Sequence, residues 1–424
     1  MKSTLILSLL LSGSLYAQSP KKIIAKFKEG VNPASLKIDG KVKNLFSNVY
    51  VITSERTEEL KNELKAVTVF IEDNYKTQKR KLELPEPMDK SISENQSANF
   101  NDPYASKVWS FKNATSHGVS VEKAYTSYPS NTKAEIIVAV VDTGVDYNHE
   151  DLKNVMWVNK GEIAGNGIDD DGNGYIDDIH GIDTLDRDAD GNATGDMMDT
   201  HSHGTHVSGT IGAQQNNGTG IAGIASNVKI MGIRTVPNSG DETDVDVVES
   251  FIYAAKNGAK VINCSFGKDR NEGGMAVKEA MDFIGKEYGT LVVAAAGNSS
   301  RDIDSRPTWP ASYESENLLV VASTTSRGSM SYFSNYGTKS VDVAAPGSSV
   351  YSTTPRNRYG SMSGTSMASP TTAGVAAEIL SHFPELSPTE LKAVLMNNTT
   401  QSRNFSRTAS GGRVDLYNAL KSLQ

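Results

Sequence analysis

The side chains with the clearest potential for chemistry are a serine, a histidine and an aspartate that lie far apart in the chain. Ser366 follows Gly364 and Thr365 and precedes small residues and Pro370, a pattern typical of the start of a buried helix. A hydroxyl at a helix start has unpaired backbone N–H groups and the positive end of the helix dipole beside it, which suits a nucleophile that generates an oxyanion. Taken alone, the same pattern is also typical of an ordinary helix cap.

Two other residues supply the remaining parts of a nucleophilic site. Asp142 ends the apolar run I-I-V-A-V-V, and His203 begins H-G-T-H-V-S-G. A serine hydroxyl becomes reactive when a neutral imidazole takes its proton and a buried carboxylate holds that imidazole in one tautomer. Asn298 ends a further apolar run and can offer its side-chain amide to the oxyanion. Asp142, His203, Ser366 and Asn298 are therefore the candidate catalytic residues.

The elements expected to position these residues alternate between short apolar strands and helices. The apolar runs predict strands at 136–141, 228–233, 260–264, 291–296 and 318–322. Helical patterns lie between them, notably at 203–213, 244–257 and 274–288. This alternation predicts an α/β fold, with a mostly parallel sheet covered by helices on both faces. Sites in such folds form at the carboxyl ends of the strands.

The first hundred residues are organised differently. Residues 1–17 combine an early lysine, an apolar run and a final small residue, which predicts a secretory signal peptide that is too short to span a bilayer. Strand and helix patterns in 18–75 predict a small α+β domain. Residues 76–100 are charged, contain two prolines and lack periodicity, which predicts a cleavable linker before a larger domain at 101–424.

Charge and cysteine content exclude several classes of protein. Residues 18–97 carry a net charge of +3 and residues 98–424 a net charge of −12, which argues against nucleic acid as a partner. Cys264 is the only cysteine, so stability in an exported protein must come from something other than an intramolecular disulfide. Cys264 ends an apolar run and is interpreted as a small core residue rather than a nucleophile. We expect an exported monomer that has no membrane partner.

An acidic stretch, I-D-D-D-G-N-G-Y-I-D-D at 168–178, predicts a calcium site. Side-chain oxygens at the first, third and fifth positions converge when the chain turns at the following glycine, and the seventh position offers its backbone carbonyl. The final glutamate of the usual loop is missing, so either Asp177 or Asp178 must close the shell. The predicted ligands are Asp169, Asp171, Asn173, Tyr175 and Asp178. A second run with similar spacing, at 186–191, leaves calcium open for Asp186, Asp188 and Asp190.

Together these motifs resemble the subtilisin-like serine proteases, the subtilase family. The resemblance rests on D-T-G-V-D from Asp142, H-G-T-H-V-S-G from His203, A-A-G-N from Ala295 and G-T-S-M-A-S-P from Gly364. It covers 101–424, whereas 21–73 resembles the inhibitory propeptide of the family more loosely. It implies a three-layer fold with a mostly parallel seven-stranded sheet, and a secreted endopeptidase acting on proteins or peptides. Asp142 would orient His203, the base, while Asn298 and the Ser366 N–H would stabilise the oxyanion.

The resemblance also implies where substrate and a further calcium ion bind. The substrate backbone would add as a strand beside Ser265, Phe266 and Gly267, and the side chain before the scissile bond (P1) would enter a pocket walled by that segment and by Ala295, Ala296 and Gly297. Thr308 would form its floor. These segments carry no charge, so we expect broad specificity with an apolar P1 preference. The loop 215–221 matches a calcium loop of the family, with Asp151, Asn217, Thr219 and Ile221 as ligands.

Three other interpretations of the same residues are possible. The spacing of His201, His203 and His206 occurs in zinc sites, but no zinc-protease motif with an adjacent glutamate accompanies it. An α/β-hydrolase esterase is disfavoured because G-x-S-x-G is missing and the order of the three residues is wrong. A non-catalytic calcium-binding surface protein on a subtilase scaffold is the alternative function. In the favoured reading, residues 18–75 inhibit the precursor, and the enzyme itself cuts the linker.

Overall fold

The structure is a computed structural model that describes residues 21–75, 100–129, 133–189, 191–240, 242–268 and 274–424. The signal peptide and almost all of the linker predicted at 76–100 lie outside the described residues, as does Asp190. The chain divides into two compact units, one within residues 1–74 and the other within 75–424. None of the described helices combines the length and the apolar character needed to cross a bilayer.

The first unit is a four-stranded antiparallel sheet with one helix. Its strands are β1 (Lys21–Phe27), β2 (Lys41–Phe46), β3 (Val49–Ser54) and β4 (Thr68–Asp73), and its helix is α1 (Thr57–Leu64). The strand order is β2-β3-β1-β4. A small apolar core joins sheet and helix, formed by Ile23, Phe27, Ile52, Leu60 and Leu64. The four elements expected here are present, while β2 was missed because its lysines and asparagine obscure the strand alternation.

The second unit contains twelve strands and seven helices among its described residues. The strands are β5 (Ile136–Asp142), β6 (Gly181–Arg187), β7 (Ala193–Thr194), β8 (Val228–Arg234), β9 (Val261–Cys264), β10 (Leu291–Ala295), β11 (Leu318–Thr324), β12 (Val343–Pro346), β13 (Val350–Thr354), β14 (Arg358–Met362), β15 (Thr400–Gln401) and β16 (Gly412–Arg413). The helices are α2 (Val121–Ser127), α3 (His203–Gly212), α4 (Asp244–Lys256), α5 (Met275–Tyr288), α6 (Thr365–His382), α7 (Pro388–Asn397) and α8 (Leu416–Ser422).

The main sheet confirms the predicted α/β architecture. Its order is β15-β16-β12-β11-β10-β9-β5-β8-β6-β7. The seven strands from β12 to β6 are all parallel to their neighbours. Three two-residue strands at the edges extend the expected seven strands to ten. The strands β13 and β14 form a separate hairpin.

Strand β6, the second strand from one edge of the main sheet, was not predicted from the sequence. Its sequence, G-I-D-T-L-D-R, lacks the continuous apolar run that marks the other strands. Asp183 pairs in register with Arg234 of β8, and their side chains form an ion pair at 2.6 Å. A tertiary partner therefore stabilises a charged residue where a local pattern predicts none.

The helix α6 lies at the centre of this unit. Every residue from Thr365 to Ser381 is buried, and alanine, serine and threonine make up more than half of the sequence of the helix. Small side chains allow the helix to contact α3 and the strands β9 to β12 at short range. Because α6 is buried on all sides, its first turn is packed as tightly as its middle. Ser366 lies in this first turn.

Candidate active site

Asp142 and His203 form a buried pair at the carboxyl end of β5. The Nδ1 of His203 lies 2.7 Å from Oδ1 of Asp142, and each side chain is 1% exposed. The same Oδ1 accepts the N–H of Thr143 at 2.8 Å. Because Nδ1 donates to the carboxylate, Nε2 of a neutral His203 is left as the proton acceptor.

Two glycines allow the start of α3 to lie against the end of β5. A Cβ on Gly204 would come within 2.0 Å of the Gly144 carbonyl oxygen, and Gly144 itself has a φ of +99°. Neither position tolerates a side chain, since the first would clash with backbone and the second requires a left-handed conformation. Their glycines therefore set the short distance between Asp142 and His203.

Asp199 is a positioning residue that sequence reasoning missed. It is buried, and its Oδ1 accepts the N–H groups of His201 and Ser202 at 2.8 and 3.0 Å. Its Oδ2 accepts both the N–H and the hydroxyl of Thr205. The carboxylate thus holds the chain on both sides of His203 and satisfies donors at the helix start. An acidic residue four positions before a helix-starting histidine was the available signal.

Pro370 determines how the backbone of Ser366 is held. A proline has no N–H, so the carbonyl four residues earlier loses its helical partner. That carbonyl belongs to Ser366, and it accepts instead the hydroxyl of Ser265 at 2.9 Å. Asn263 in turn donates to the Ser265 hydroxyl and accepts from Ser369. The proline therefore ties the Ser366 backbone to the end of β9.

Asn298 is oriented by the residue before Ser366. Its Oδ1 accepts both the N–H and the hydroxyl of Thr365 at 2.9 Å, and the Thr365 hydroxyl also accepts the N–H of Gly297 at 3.0 Å. With its oxygen held by two donors, the amide presents its NH₂ group on the opposite side. Asn298 is exposed, so this NH₂ is accessible to a substrate.

Strand register brings the four candidate residues to one edge of the sheet. Val141 is level with Cys264 in the pairing of β5 with β9, so Asp142 is level with Ser265, which holds Ser366. Among the described residues, the Ser366 hydroxyl makes no hydrogen bond, and its contact with His203 stays a prediction. In ligand-free enzymes such contacts are often long and shorten when substrate binds.

Cys264 and His206 are buried near this pair without taking part in it. Burial raises the pKa of the Cys264 thiol, which supports its interpretation as a core residue. His206 is fully buried, and its Nε2 lies 3.0 Å from the Val350 carbonyl oxygen, to which it donates. Burial, with a smaller contribution from the neighbouring His203, lowers the pKa of His206 to about 3. It is therefore a neutral structural histidine.

The predicted substrate segments lie beside the pair, as the ends of β9 and β10. Ser265, Phe266, Ala295 and Ala296 are buried, while Gly267 and Gly297 are partly exposed. Lys268 and Trp309 exchange backbone hydrogen bonds of 2.7 and 2.9 Å, which draws Thr308 to the segment after β9. The Thr308 side chain is 2% exposed.

Arg301, which no sequence motif assigns to this region, contacts the predicted pocket floor. Its Nη2 donates to Oγ1 of Thr308 at 2.7 Å. The three segments expected to line the pocket carry no charge, but a guanidinium reaches Thr308 from seven residues earlier in the chain. A local sequence pattern gave no signal for this contact.

The acidic stretch folds into a loop in which Glu162, Asp171 and Asp178 approach one another. One carboxylate oxygen from each lies within 4.8 Å of the others. Asn159 donates to Asp171 and Asp178 at 2.9 Å, and Asn173 donates to the same two carboxylates at 3.1 Å. Two amide groups thus lie between two carboxylates, where a cation would neutralise the charge more fully.

The other acids of this loop bind its backbone. Asp169 accepts the N–H groups of Asn173 and Gly174, and Asp177 accepts those of residues 165, 166 and 167. Asp178 is fully buried and faces the cluster, which favours it over Asp177 as the closing carboxylate. Glu162 was missed because it precedes the calcium-loop spacing. Tyr175 donates its hydroxyl to Glu249.

The second predicted calcium loop also assembles around its carboxylate. Asp151 accepts the Asn217 side-chain amide at 2.8 Å and the Ile221 N–H at 2.9 Å, and the Asn217 side-chain oxygen accepts the Thr219 N–H. Asp102, which the sequence analysis did not propose, accepts the Asn217 N–H at 3.0 Å. Burial raises the pKa of Asp151 to about 6, and the negative charge of Asp102 adds to that shift.

Two further metal hypotheses concern the histidines at 201, 203 and 206 and the acidic run at 186–191. In the part of the chain that the structure describes, Glu162, Asp171 and Asp178 form the only group of three or more histidine, cysteine or acidic side chains whose possible ligand atoms lie together, so the histidines at 201, 203 and 206 form no zinc cluster. In the run at 186–191, Arg187 pairs with Asp246 and Glu249, and the Asp188 carboxylate closes its own turn by accepting the Asn192 N–H.

Comparisons with known proteins agree with this geometry. The subtilase family model matches residues 133–413. The chain is 38% identical over 283 residues to thermophilic serine proteinase of Bacillus sp. (strain AK1), covering 67% of this chain and 61% of that protein. It is 37% identical to thermitase of Thermoactinomyces vulgaris, covering 67% of this chain and 88% of that protein. A solved protease of Pseudoalteromonas arctica PAMC 21717 superposes with a TM-score of 0.61 at 29% identity, covering 77% of this chain and all of that one. The chain therefore belongs to the subtilase family of subtilisin-like serine proteases.

Proposed function

We propose that this protein is a secreted serine endopeptidase that hydrolyses peptide bonds with Asp142, His203 and Ser366. The observation that carries the proposal is the buried hydrogen bond of 2.7 Å between His203 and Asp142, at the sheet edge where Ser366 lies in the first turn of α6. The carboxylate fixes the tautomer in which Nε2 of His203 accepts the serine proton. Ser366 then attacks the substrate carbonyl, and His203 returns the proton to the leaving amine.

The oxyanion of this reaction would be stabilised by two donors. Thr365 holds the Asn298 amide so that its NH₂ is presented to substrate, and the Ser366 N–H lies in the first turn of α6, where N–H groups lack helical partners. Donors that are oriented before the reaction need no reorganisation as negative charge develops. The substrate chain would lie beside 265–267, with the peptide carbonyl directed at Asn298.

We propose that the enzyme is made as an inhibited precursor. A signal peptide at residues 1–17 would export it, the α+β unit within 18–75 would act as the inhibitor, and the linker at 76–100 would be cut by the enzyme itself. Support comes from the compact fold of the first unit, with a core of its own, and from the opposite net charges of the two parts of the sequence. We infer a monomeric mature enzyme.

We propose that calcium stabilises the mature domain at two loops. Glu162, Asp171 and Asp178 would hold one ion, and Asp151, Asn217 and Asp102 would surround a second, with backbone carbonyls of the same loops completing the shells. All these donors are oxygens, the ligands that calcium prefers. Two buried carboxylates side by side, such as Asp102 and Asp151, are costly without a counter-charge. The ions would stabilise the loops and take no part in bond cleavage.

The experiment that tests this function compares the wild type with Ser366→Ala during expression in a host lacking other secreted proteases. We expect the wild type to mature and to hydrolyse casein. The variant should keep its full precursor length after export and should lose activity by about 10⁶-fold, a magnitude taken from subtilisin itself. A Ser366→Ala protein that is processed to the wild-type N-terminus and still cleaves casein would show that another group is the nucleophile.

A further inference from the structure

Lys268 is a buried lysine that directly follows 265–267, the segment beside which substrate is expected to bind. It is 5% exposed, and its ammonium donates to Oδ1 of Asp244, which is 1% exposed. Removing two charges from water is costly, and their attraction repays that cost only with good geometry and additional hydrogen bonds. The ion pair holds the Lys268 ammonium in one place, with two further N–H donors beside the one that serves Asp244.

The main chain of Tyr75, the first residue of the second unit, binds to this pair. Its carbonyl oxygen accepts Nζ of Lys268 at 3.3 Å and the N–H of Asp244 at 3.2 Å. Asp244 is the first residue of α4, so its N–H has no partner within the helix and is available to an outside carbonyl. Two donors from different parts of the chain therefore meet at one peptide carbonyl. We call Nζ of Lys268 and the N–H of Asp244 the carbonyl site.

Two features relate the carbonyl site to the path of a substrate. Tyr75 precedes the stretch 76–100 in which the proposed cut falls, so it lies on the amino side of that scissile bond. Lys268 comes after the segment 265–267, so the carbonyl site lies beyond that segment as seen from Ser265, which holds the Ser366 backbone. Cleavage within 76–100 would separate Tyr75 from the rest of the second unit and make the carbonyl site available to another chain.

We propose that Lys268 is a positioning residue which, with the N–H of Asp244, binds a backbone carbonyl of extended polypeptide substrates several residues before the scissile bond. This inference rests on the endopeptidase activity proposed above. A hydrogen bond from an ammonium to a carbonyl is charge-assisted and stronger than a neutral one. Binding energy from this remote contact helps to orient the reacting carbonyl, so the enzyme favours long substrates over short ones.

The test uses mature enzyme and peptides that share one P1 residue and one leaving group and are extended on the amino side by one alanine at a time. We expect kcat/KM to rise by about tenfold or more at the length that first reaches the carbonyl site. Lys268→Met combined with Asp244→Asn leaves no unpaired buried carboxylate and should lose most of this step. The matched control, Lys278→Met with Asp282→Asn, removes a more exposed ion pair of α5 and should keep the step.

A thioamide in the peptide gives a second readout that needs no variant enzyme. Sulfur is a weaker hydrogen-bond acceptor than oxygen, so sulfur in place of the carbonyl oxygen that produces the step should lower kcat/KM in the wild type. The combined variant should be much less sensitive to this change. A step of equal height in that variant, no step at any length, or a thioamide without effect in the wild type would overturn the inference. Fluorophosphonate labelling and cleavage of the shortest peptide report the peptidase activity itself, so the two proposals can fail separately.

Discussion

The main site predictions concern two regions, the edge of the sheet with Asp142, His203 and Ser366, called the catalytic edge below, and the acidic loop at 159–178. The two regions are stabilised in opposite ways. At the catalytic edge, Asp142, His203 and Ser366 are at most 7% exposed and are positioned by strands, helix starts and glycines. In the loop, every residue from 160 to 177 is exposed or partly exposed, and three isoleucines face solvent. The candidate catalytic residues depend on the core, whereas the loop depends on hydrogen bonds from amide groups to neighbouring carboxylates. We therefore expect metal removal to unfold the loop first.

The largest expected effect concerns the oxyanion donor at the catalytic edge. Asn298→Ala should lower kcat by about 10²–10³-fold with little change in KM, a magnitude taken from the equivalent donor of subtilisin. The reason is that its NH₂ contacts the oxygen mainly once negative charge has formed. Steady-state kinetics on a peptide amide measures both constants. Asn398→Ala, at the end of α7, is the matched control, and an equal loss in both variants would remove Asn298 from the reaction.

The acidic loop should respond to chelation by a loss of stability. In excess EDTA we expect the melting temperature of mature wild-type protein, inactivated beforehand with a fluorophosphonate, to fall by about 5–15 °C, the range that a tightly bound ion supplies. Asp178→Asn should shrink the difference between melting curves recorded with calcium and with EDTA by the part that the ion of this loop supplies, and should leave the part due to the loop of Asp151. Asp282→Asn, which changes an exposed carboxylate of α5, should keep that difference. Identical curves with calcium and EDTA in the wild type would contradict the calcium proposal.

The smallest expected effect is on the pH dependence of stability, and it arises from His206, a buried residue near the catalytic edge. His206 has a pKa of about 3 in the folded protein, while a histidine in the unfolded chain titrates near 6.5. Between these values the unfolded chain binds the additional proton, so His206 lowers the free energy of unfolding by about 1.4 kcal/mol for each unit of acidification. His206→Gln should flatten the curve of unfolding free energy against pH by that slope below pH 6.5. Above pH 7.5 the two curves should run parallel, and parallel curves over the whole range would disprove the assignment.

The sequence predicted the strand and helix ends that carry the candidate catalytic residues better than their surroundings, for a physical reason. Apolar runs and glycine-containing motifs determine where β5 ends and where α3 and α6 begin, and those ends carry the functional side chains. Strand β6 was missed because a distant arginine stabilises its aspartate. Glu162 and Arg301 were missed for the same reason, since each reaches its partners from outside the local motif. Contacts made by long side chains across the fold leave no periodic signal in the sequence.

The most direct test of the central claim is labelling of the mature, calcium-loaded enzyme with a fluorophosphonate, followed by peptide mapping. We expect a single modified residue, Ser366, and a labelling rate that collapses in His203→Ala protein processed by a trace of added wild-type enzyme, although the variant keeps its wild-type melting temperature. Folded wild-type protein with an unlabelled Ser366, or a label that persists without His203, would contradict the proposal that these side chains act as one unit. The first of these results would favour a non-catalytic protein built on the same scaffold.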